Sequence, residues 1–289
     1  MNAQSFVIRF FVTAIIVVAA GLVAWQLWVY YMDDPWTRDG TVRADVVEVA
    51  PDVSGLVAQV FVHDNETVHA GDPLFQIDPV RFSLALAQAD AAAQKAKAAY
   101  DDAASNARRY AALNNNAVSG LNRDEASSQA LEAQAAWQQA QADDAVAKLD
   151  LDRSTVRATV NGVITNFSMR PGDYVTVGNA VAALVDSDSL YVDGYFEETK
   201  LRHIAVGDPA TVTLLDGGPP ITGHVASIAA GIADAERTAS PNLLADVNPT
   251  FTWVRLAQRV PVRIALDHVP AGTMLIAGLT ATVAIDPPN

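Results

Sequence analysis

Cysteine is absent from the 289 residues, so disulfides, thiolate nucleophiles and Cys-ligated zinc are excluded whatever the compartment. Lysine is scarce. Lys95, Lys97, Lys148 and Lys200 are the only four, and none follows a glycine. A phosphate-cradling G-K-[ST] loop is therefore missing, and the chain is not expected to use ATP by itself. Positive charge as a whole is short, 19 Lys and Arg against 33 Asp and Glu, for a formal −14. Nucleic acid is a poor partner for such a chain, because that affinity comes mostly from cations on phosphates. Intrinsic disorder is excluded too, since 51% of the residues are apolar.

The first 32 residues hold one base, Arg9, and no acid; the remainder has 18 Lys and Arg against 33 acids, a net of −15. From Phe10 to Met32 run 23 uncharged residues. As a helix they would reach about 34 Å, enough to cross a hydrocarbon core of about 30 Å. Trp25, Trp28, Tyr30 and Tyr31 cluster at the far end, where amphipathic rings favour the interface. A cleaved signal peptide is the competing reading, but its apolar stretch would span about 7–15 residues and end in small ones. An uncleaved transmembrane helix is expected at 10–32. Arg9 before it and Asp33-Asp34 after it set residues 1–9 in the cytoplasm and the bulk of the chain outside.

One internal repeat organises the body. Ala50–Asp78 and Arg157–Val185 align at a constant offset of 107, pairing Val53 with Val160, Gly55 with Gly162, Val57 with Ile164 and Val68 with Val175. The same offset pairs Gly71 with Gly178, Leu74 with Val181 and Ile77 with Leu184. Each copy alternates apolar residues at period two, turns through polar ones (His63 to Glu66, Arg170 to Asp173), and alternates again. That is strand, turn, strand. A lone hairpin is marginal in water, so the two copies are expected to pack as halves of one sandwich.

Between the copies, Val80 to Asp152 contains no proline, one glycine (Gly120) and 24 alanines in 73 residues. Such a stretch reads as helix rather than linker. A heptad seam fits Phe82, Ala85, Ala89, Ala92, Ala96, Ala99, Ala103, Asn106, Tyr110 and Leu113. A second fits Ala126, Ala130, Ala133, Trp137, Ala140, Asp144, Ala147 and Leu151, with Asn114–Asn122 as the turn. The prediction is an antiparallel coiled-coil hairpin with arms of about 30 residues, or about 45 Å. Alanine seams hold such a hairpin together, but its length points to a reach toward another protein.

After the second copy, Val192–Phe196, Ala210–Leu214, Ile221–Val225, Val254–Leu256, Val260–Leu266 and Leu279–Ile285 read as strands separated by turn signals such as Gly217-Gly218-Pro219-Pro220. Closely spaced short strands suggest a small antiparallel barrel, completed by the strand-like Thr41–Val49. Chemistry-bearing constellations are missing. The five histidines (63, 69, 203, 224 and 268) lack the i, i+4 spacing of a helical metal pair. Glu197 and Glu198 are adjacent strand residues and point to opposite faces. Ser119 has no nearby histidine to activate it. No catalytic residue, metal site or cofactor is expected.

The order of these parts resembles the periplasmic adaptors, or membrane fusion proteins, of Gram-negative tripartite efflux systems. Similarity is carried by WVYYMDDPWTRDGTVRADVVEVAPDVSGL (28–56), VHDNETVHAGDPLFQID (62–78), YFEETKL (195–201) and FTWVRLAQRVPVRI (251–264), and points within that family to exporters of p-hydroxybenzoic and related aromatic carboxylic acids. The resemblance implies a mixed α and β chain: cytoplasmic tail 1–9, transmembrane helix 10–32, linker and barrel-edge strand 33–49, lipoyl-like half 50–79, coiled-coil hairpin 80–155, second lipoyl-like half 156–186, and β-barrel with C-terminal strands 187–289. Gly55, Gly71, Gly162 and Gly178 are then the lipoyl-like turn glycines.

Such adaptors dock an outer-membrane channel through an Arg-x3-Leu-x6-Ser pattern at the hairpin tip. Arg109, Leu113 and Ser119 correspond here, with five residues rather than six before the serine. Implied partners are an inner-membrane transporter, an outer-membrane channel and further copies of the chain, expected as a hexamer. The expected location is the inner membrane, single-pass, with the bulk in the periplasm. Adaptors for multidrug efflux or type I polypeptide secretion are the alternatives, the latter generally with longer helices. A lipoyl or biotinyl carrier would need a lysine at a hairpin tip, and His63–Thr67 and Met169–Tyr174 contain none.

Overall fold

The computed structural model describes residues 3–32, 34–113, 119–232, 237–239, 245–247, 257–270 and 272–286. They divide into two compact units, Met1–Asp45 with Ser189–Asn289, and Val46–Asp188. The chain opens with α1 (Ala3–Met32) and β1 (Trp36–Arg43), both of the first unit. The second unit holds β2 (Val46–Val49), β3 (Gly55–Val60), β4 (Thr67–Val68), β5 (Pro73–Ile77), α2 (Pro79–Ala112), α3 (Gly120–Arg153), β6 (Thr155–Arg157), β7 (Gly162–Thr165), β8 (Tyr174–Val175) and β9 (Ala182–Asp186). The single strand expected over Thr41–Val49 is thus two strands. Asp45 leaves the ladder because its backbone N–H donates to the Ser189 hydroxyl, 2.8 Å away.

In the second unit two antiparallel four-stranded sheets run β2-β9-β7-β4 and β6-β5-β3-β8. Each sheet mixes strands from both copies of the repeat, and the copies exchange equivalent contacts. Gly55 sits opposite Val175, and Gly162 opposite Val68. Val57 pairs with Ile77 as Ile164 pairs with Leu184. The Gly71 N–H donates to the Ala158 carbonyl, and the Gly178 N–H to that of Pro51. Every one of these pairs maps onto its counterpart at the offset of 107. The symmetry extends beyond the sequence repeat, since the edge strands β2 and β6 lie beside β9 and β5 in the same way. Val57, Leu74, Phe75, Ile77, Ile164 and Leu184 form the shared core, all 2% exposed or less.

The glycines serve this arrangement in two ways. A Cβ on Gly162 would lie 2.0 Å from the Val185 carbonyl oxygen, and one on Gly55 would lie 2.7 Å from the Ile77 side chain, so both strands need a residue without one. Gly71 and Gly178 take φ of +96° and +77°, the left-handed region that favours glycine.

Helices α2 and α3 have 34 residues each, about 51 Å long. Asp78 caps α2 by accepting from the Val80 N–H, with Pro79 in the first turn. The helices pack antiparallel: Leu151 lies against the cluster holding Phe82, Tyr100 stacks on Trp137 midway at 5.4 Å between centroids, and Arg123 bonds Leu113 at the far end. The less exposed residues of α3 include Ala126, Ala130, Ala133, Trp137, Ala140, Asp144, Ala147 and Leu151. On α2 the sheltered face is Phe82, Leu86, Ala89, Ala93, Ala96, Tyr100, Ala103 and Ala107. Three seam positions expected on α2, Ala85, Ala92 and Ala99, are exposed, and the sheltered residues there are Leu86, Ala93 and Tyr100, one residue further on. Among so many alanines only Phe82, Leu86 and Tyr100 mark the buried stripe. The turn is shorter than expected because Ser119 starts α3 at Gly120 rather than beyond Asn122; residues 114–118 lie outside the described residues.

The first unit continues with β10 (Tyr191–Glu197), a short 3₁₀ turn (Leu201–His203), β11 (Pro209–Leu214), β12 (Ile221–Ile228), β13 (Arg237–Ala239), β14 (Ala245–Val247), β15 (Arg259–His268) and β16 (Thr280–Ile285). Six strands close a barrel in the order β1-β10-β15-β12-β11-β16, while β13 and β14 pair separately. Alternation fills it: Val192 and Phe196, Val212 and Leu214, Val262 and Ile264, Val283 and Ile285 point inward and are at most 3% exposed. The expected strand Val254–Leu256 lies outside the described residues. Among the described residues no helix is long and apolar enough to cross a membrane. On α1 the described side chains are Val12–Gln26 and Trp28, the former about 22 Å of helix, and nearly all are exposed.

Candidate functional site

At the end of the hairpin the backbone first dictates what the side chains can do. Ser119 is the N-cap of α3, its hydroxyl accepting from the Asn122 N–H at 3.3 Å. Leu113 closes α2, its N–H donating to the Tyr110 carbonyl, and its side chain is 46% exposed. Arg109 lies in the last turn of α2, exposed, and donates to the Asn106 side chain. The three residues share one end of the hairpin. Arg123, not singled out from the sequence, donates to the Leu113 carbonyl at 2.7 Å and ties the two helices together there.

The sandwich turns are built alike. Glu66 accepts from the His63 N–H at 2.7 Å and Asp173 accepts from the Arg170 N–H at 2.8 Å, positions again 107 apart. Carboxylates closing the turns stand where a carrier would present its lysine. His63 faces Glu66 at 3.5 Å, His69 faces Asp72 at 3.6 Å, and His224 meets Asp267 at 2.8 Å. Among the described residues no group of three or more His, Asp or Glu could hold a metal ion. Strand β10 ends at Glu197, so Glu198 lies in the following turn rather than in the strand as expected, its N–H donating to the Gln258 carbonyl.

A cleft of about 380 Å³ lies at one rim of the barrel, lined by Trp36, Arg38, Asp39, Tyr195, Glu197, Lys200 and Arg259 among others. Strand β1 begins there, β10 ends there and β15 begins there, which brings distant residues together. Lys200 is only 8% exposed; its ammonium donates to the Trp36 carbonyl at 3.3 Å and sits 5.2 Å from the centre of that indole. Arg38 approaches the same ring at 5.6 Å, and Arg259 pairs with Asp39. Nearby, Arg43 donates to the Tyr195 hydroxyl and lies 3.9 Å from Asp193. Burial pushes the Asp193 carboxyl above the usual carboxylate range, only partly opposed by Arg263 and Arg43. Sequence reading missed this cleft, although all of these lining residues fall in three of the segments that carry the family resemblance.

The fold and the repeat define an adaptor-type chain, and comparison with known proteins agrees. The family model described as RND MFP, barrel-sandwich hybrid domain, matches residues 45–187, and the AAEA-like beta-barrel domain matches residues 189–286. The chain belongs to the membrane fusion proteins, the periplasmic adaptors of efflux pumps. It is 45% identical over 280 residues to the uncharacterized protein YdhJ of Escherichia coli (strain K12), covering 96% of this chain and 98% of that protein. The membrane fusion protein Spr0693 from Streptococcus pneumoniae R6 shares the fold at a TM-score of 0.64 and 19% identity, over 88% of this chain and 99% of that one. A MacA–MexA chimera containing the Pseudomonas aeruginosa MexA α-hairpin domain shares it at 0.52 and 19%, over 88% and 82%.

Proposed function

We propose that the chain is the non-catalytic adaptor of a tripartite pump that exports small aromatic carboxylic acids. It is held in the inner membrane by α1, assembles as a hexamer and meets an outer-membrane channel with the end of an α2–α3 coiled coil. The observation that carries this reading is the two-copy sandwich interrupted by a hairpin of two 34-residue helices. A projection of about 51 Å gains little by folding back on so small a module, and is suited to bridging. Anchoring is supported by the uncharged run Phe10–Met32 and the aromatic cluster at its end. Assembly in a ring follows from the task, since one protomer cannot enclose a duct. The substrate class is supported by the segments at 28–56, 62–78, 195–201 and 251–264.

The test is export. Cells lacking the chain should accumulate 4-hydroxybenzoate and recover on complementation, whereas recovery confined to unrelated drugs or to a secreted polypeptide would replace this substrate class. Arg109→Asp should change stability by under about 0.5 kcal/mol, because the site is exposed. It should still abolish export by weakening channel docking. A folded, membrane-inserted Arg109→Asp protein that exports at the wild-type rate removes that residue from the docking site.

A further inference from the structure

The barrel-rim cleft contains a charge that no carboxylate matches among the described residues. Lys200 is more than nine-tenths buried, and its ammonium can donate three hydrogen bonds. Among the described residues it makes one, long, to the Trp36 carbonyl, and no ion pair. An ammonium enclosed in this way is completed best by a carboxylate, which can accept its remaining hydrogens. Arg38, the second cation over the Trp36 ring, likewise has no carboxylate partner among the described residues. Asp39 does not supply one to either, because it is paired with Arg259. Glu197 lines the same cleft, exposed and outside any ion pair among the described residues. Among the described residues the cleft thus offers two unpaired cations against one unpaired carboxylate, a local excess of one positive charge on a body of net −15.

We infer that this cleft, built by Lys200, Arg38, Trp36 and Tyr195, is a binding site for a small aromatic monocarboxylate. The carboxylate completes the donors of Lys200 and can accept two parallel bonds from the Arg38 guanidinium, the geometry for which arginine is suited. Trp36 and Tyr195 line the same cleft and supply its apolar surface for the ring. A volume of about 380 Å³ lies at the small end of ligand cavities, which suits one ring better than a large drug. Glu197 gives selectivity, since one excess positive charge favours a monoanion over a dianion or a cation. The choice of an aromatic acid rests partly on the function proposed above; the anion site rests on Lys200 and Arg38.

Titration calorimetry of the full chain in a neutral detergent, with 4-hydroxybenzoate as probe, tests it. One acid should bind per chain with a Kd below about 1 mM, and uncharged 4-hydroxybenzyl alcohol should not bind. Arg38→Gln should weaken binding about tenfold. Lys200→Met should weaken it at least as much; because Lys200 is buried, the exposed pair Arg38→Gln and Glu197→Gln decides the matter if that variant fails to fold. Glu197→Gln should tighten binding severalfold and admit terephthalate. The assignment is overturned if the wild-type chain binds no 4-hydroxybenzoate, if Arg38→Gln and Glu197→Gln leave its affinity unchanged, or if phosphatidylglycerol vesicles take the site in its place. Export of 4-hydroxybenzoate by cells without binding by the purified chain would sink the cleft and leave the function standing. Binding without export of any aromatic acid would do the reverse.

Discussion

The sandwich and the barrel are both small antiparallel β structures, yet they solve the same problem differently. In the sandwich the strand pairings recur 107 residues apart, and the two copies complete one another's sheets. In the barrel nothing repeats, and one ring of six strands encloses a core centred on Phe196, Val212 and Ile264. Duplication fixes the sandwich through paired ladders, with a glycine in each copy at a close approach, to backbone at Gly162 and to the Ile77 side chain at Gly55. The barrel depends more on side-chain volume inside a closed ring. Strand order also decides where function can sit: the sandwich turns close on their own carboxylates, whereas the barrel rim gathers cations from three distant strands and turns.

The two designs should therefore break under different substitutions. Phe196 is 0% exposed, and the Gly194 Cα hydrogens face its ring where a Cβ would come within 2.8 Å. Phe196→Ala should destabilise the chain by about 3–5 kcal/mol, as large cavities in closed cores do. Amide exchange should quicken in β1, β10 and β15 and stay unchanged in β3 and β7. Gly162→Ala comes next, at about 3 kcal/mol, because its Cβ meets backbone that cannot turn aside. Its repeat mate Gly55→Ala should lose only about 1 kcal/mol, since the Ile77 side chain can change rotamer. For both glycine variants the faster exchange should lie in β3, β5, β7 and β9. Equal losses at Gly55 and Gly162 in urea unfolding would show that the symmetric contacts are equally yielding, against the distances.

Much of this comparison was legible in the sequence, for reasons that differ by region. The repeat could be read because Gly55, Gly71, Gly162 and Gly178 answer backbone demands that few other residues meet. Barrel strands could be read from period-two alternation, as at Val192 to Phe196. On α2 the expected seam departs from the sheltered face at Ala85, Ala92 and Ala99, because alanine is both the best helix former and a seam filler, so identity carries no phase. Strand β2 was fused to β1 because the chain stays extended while changing partners at Asp45, and propensity does not see partners. The cleft was invisible. Trp36, Lys200 and Arg259 meet only when β1, β10 and β15 close, and no local pattern marks a lysine that folding leaves 8% exposed.

The hairpin offers an intermediate test. Tyr100→Ala removes the ring stacked on Trp137, with planes 16° apart, and one of the three large apolar markers on the α2 face. A loss of about 1–2 kcal/mol is expected, since the site is only partly buried. Helix content by circular dichroism should fall on heating at a lower temperature while the cores of both β units keep their exchange protection. Simultaneous loss of protection in β7 and β9 would mean that the sandwich needs the helices to hold its two copies together.

The smallest effect expected belongs to Asp193 on β10, opposite Thr41 and Arg263. Burial raises its folded pKa, with Arg263 and Arg43 pulling the other way more weakly. A carboxyl whose folded pKa is raised binds its proton more tightly in the native state than in the unfolded chain. Its stabilising contribution is therefore full below the unfolded value of about 3.9 and is lost as pH rises through the folded value. Arg43 adds no slope of its own: its pKa is raised, first by its bond to the Tyr195 hydroxyl, so it stays protonated throughout. Asp193→Asn keeps the shape and removes the titration. Relative to wild type, the variant should gain stability as pH goes from 3 to 7, by under about 0.5 kcal/mol because the site is partly solvated. Urea midpoints of the two proteins at matched pH measure the difference, in which the other carboxylates cancel. A variant that falls behind wild type as pH rises would mean that the two arginines, rather than burial, control Asp193.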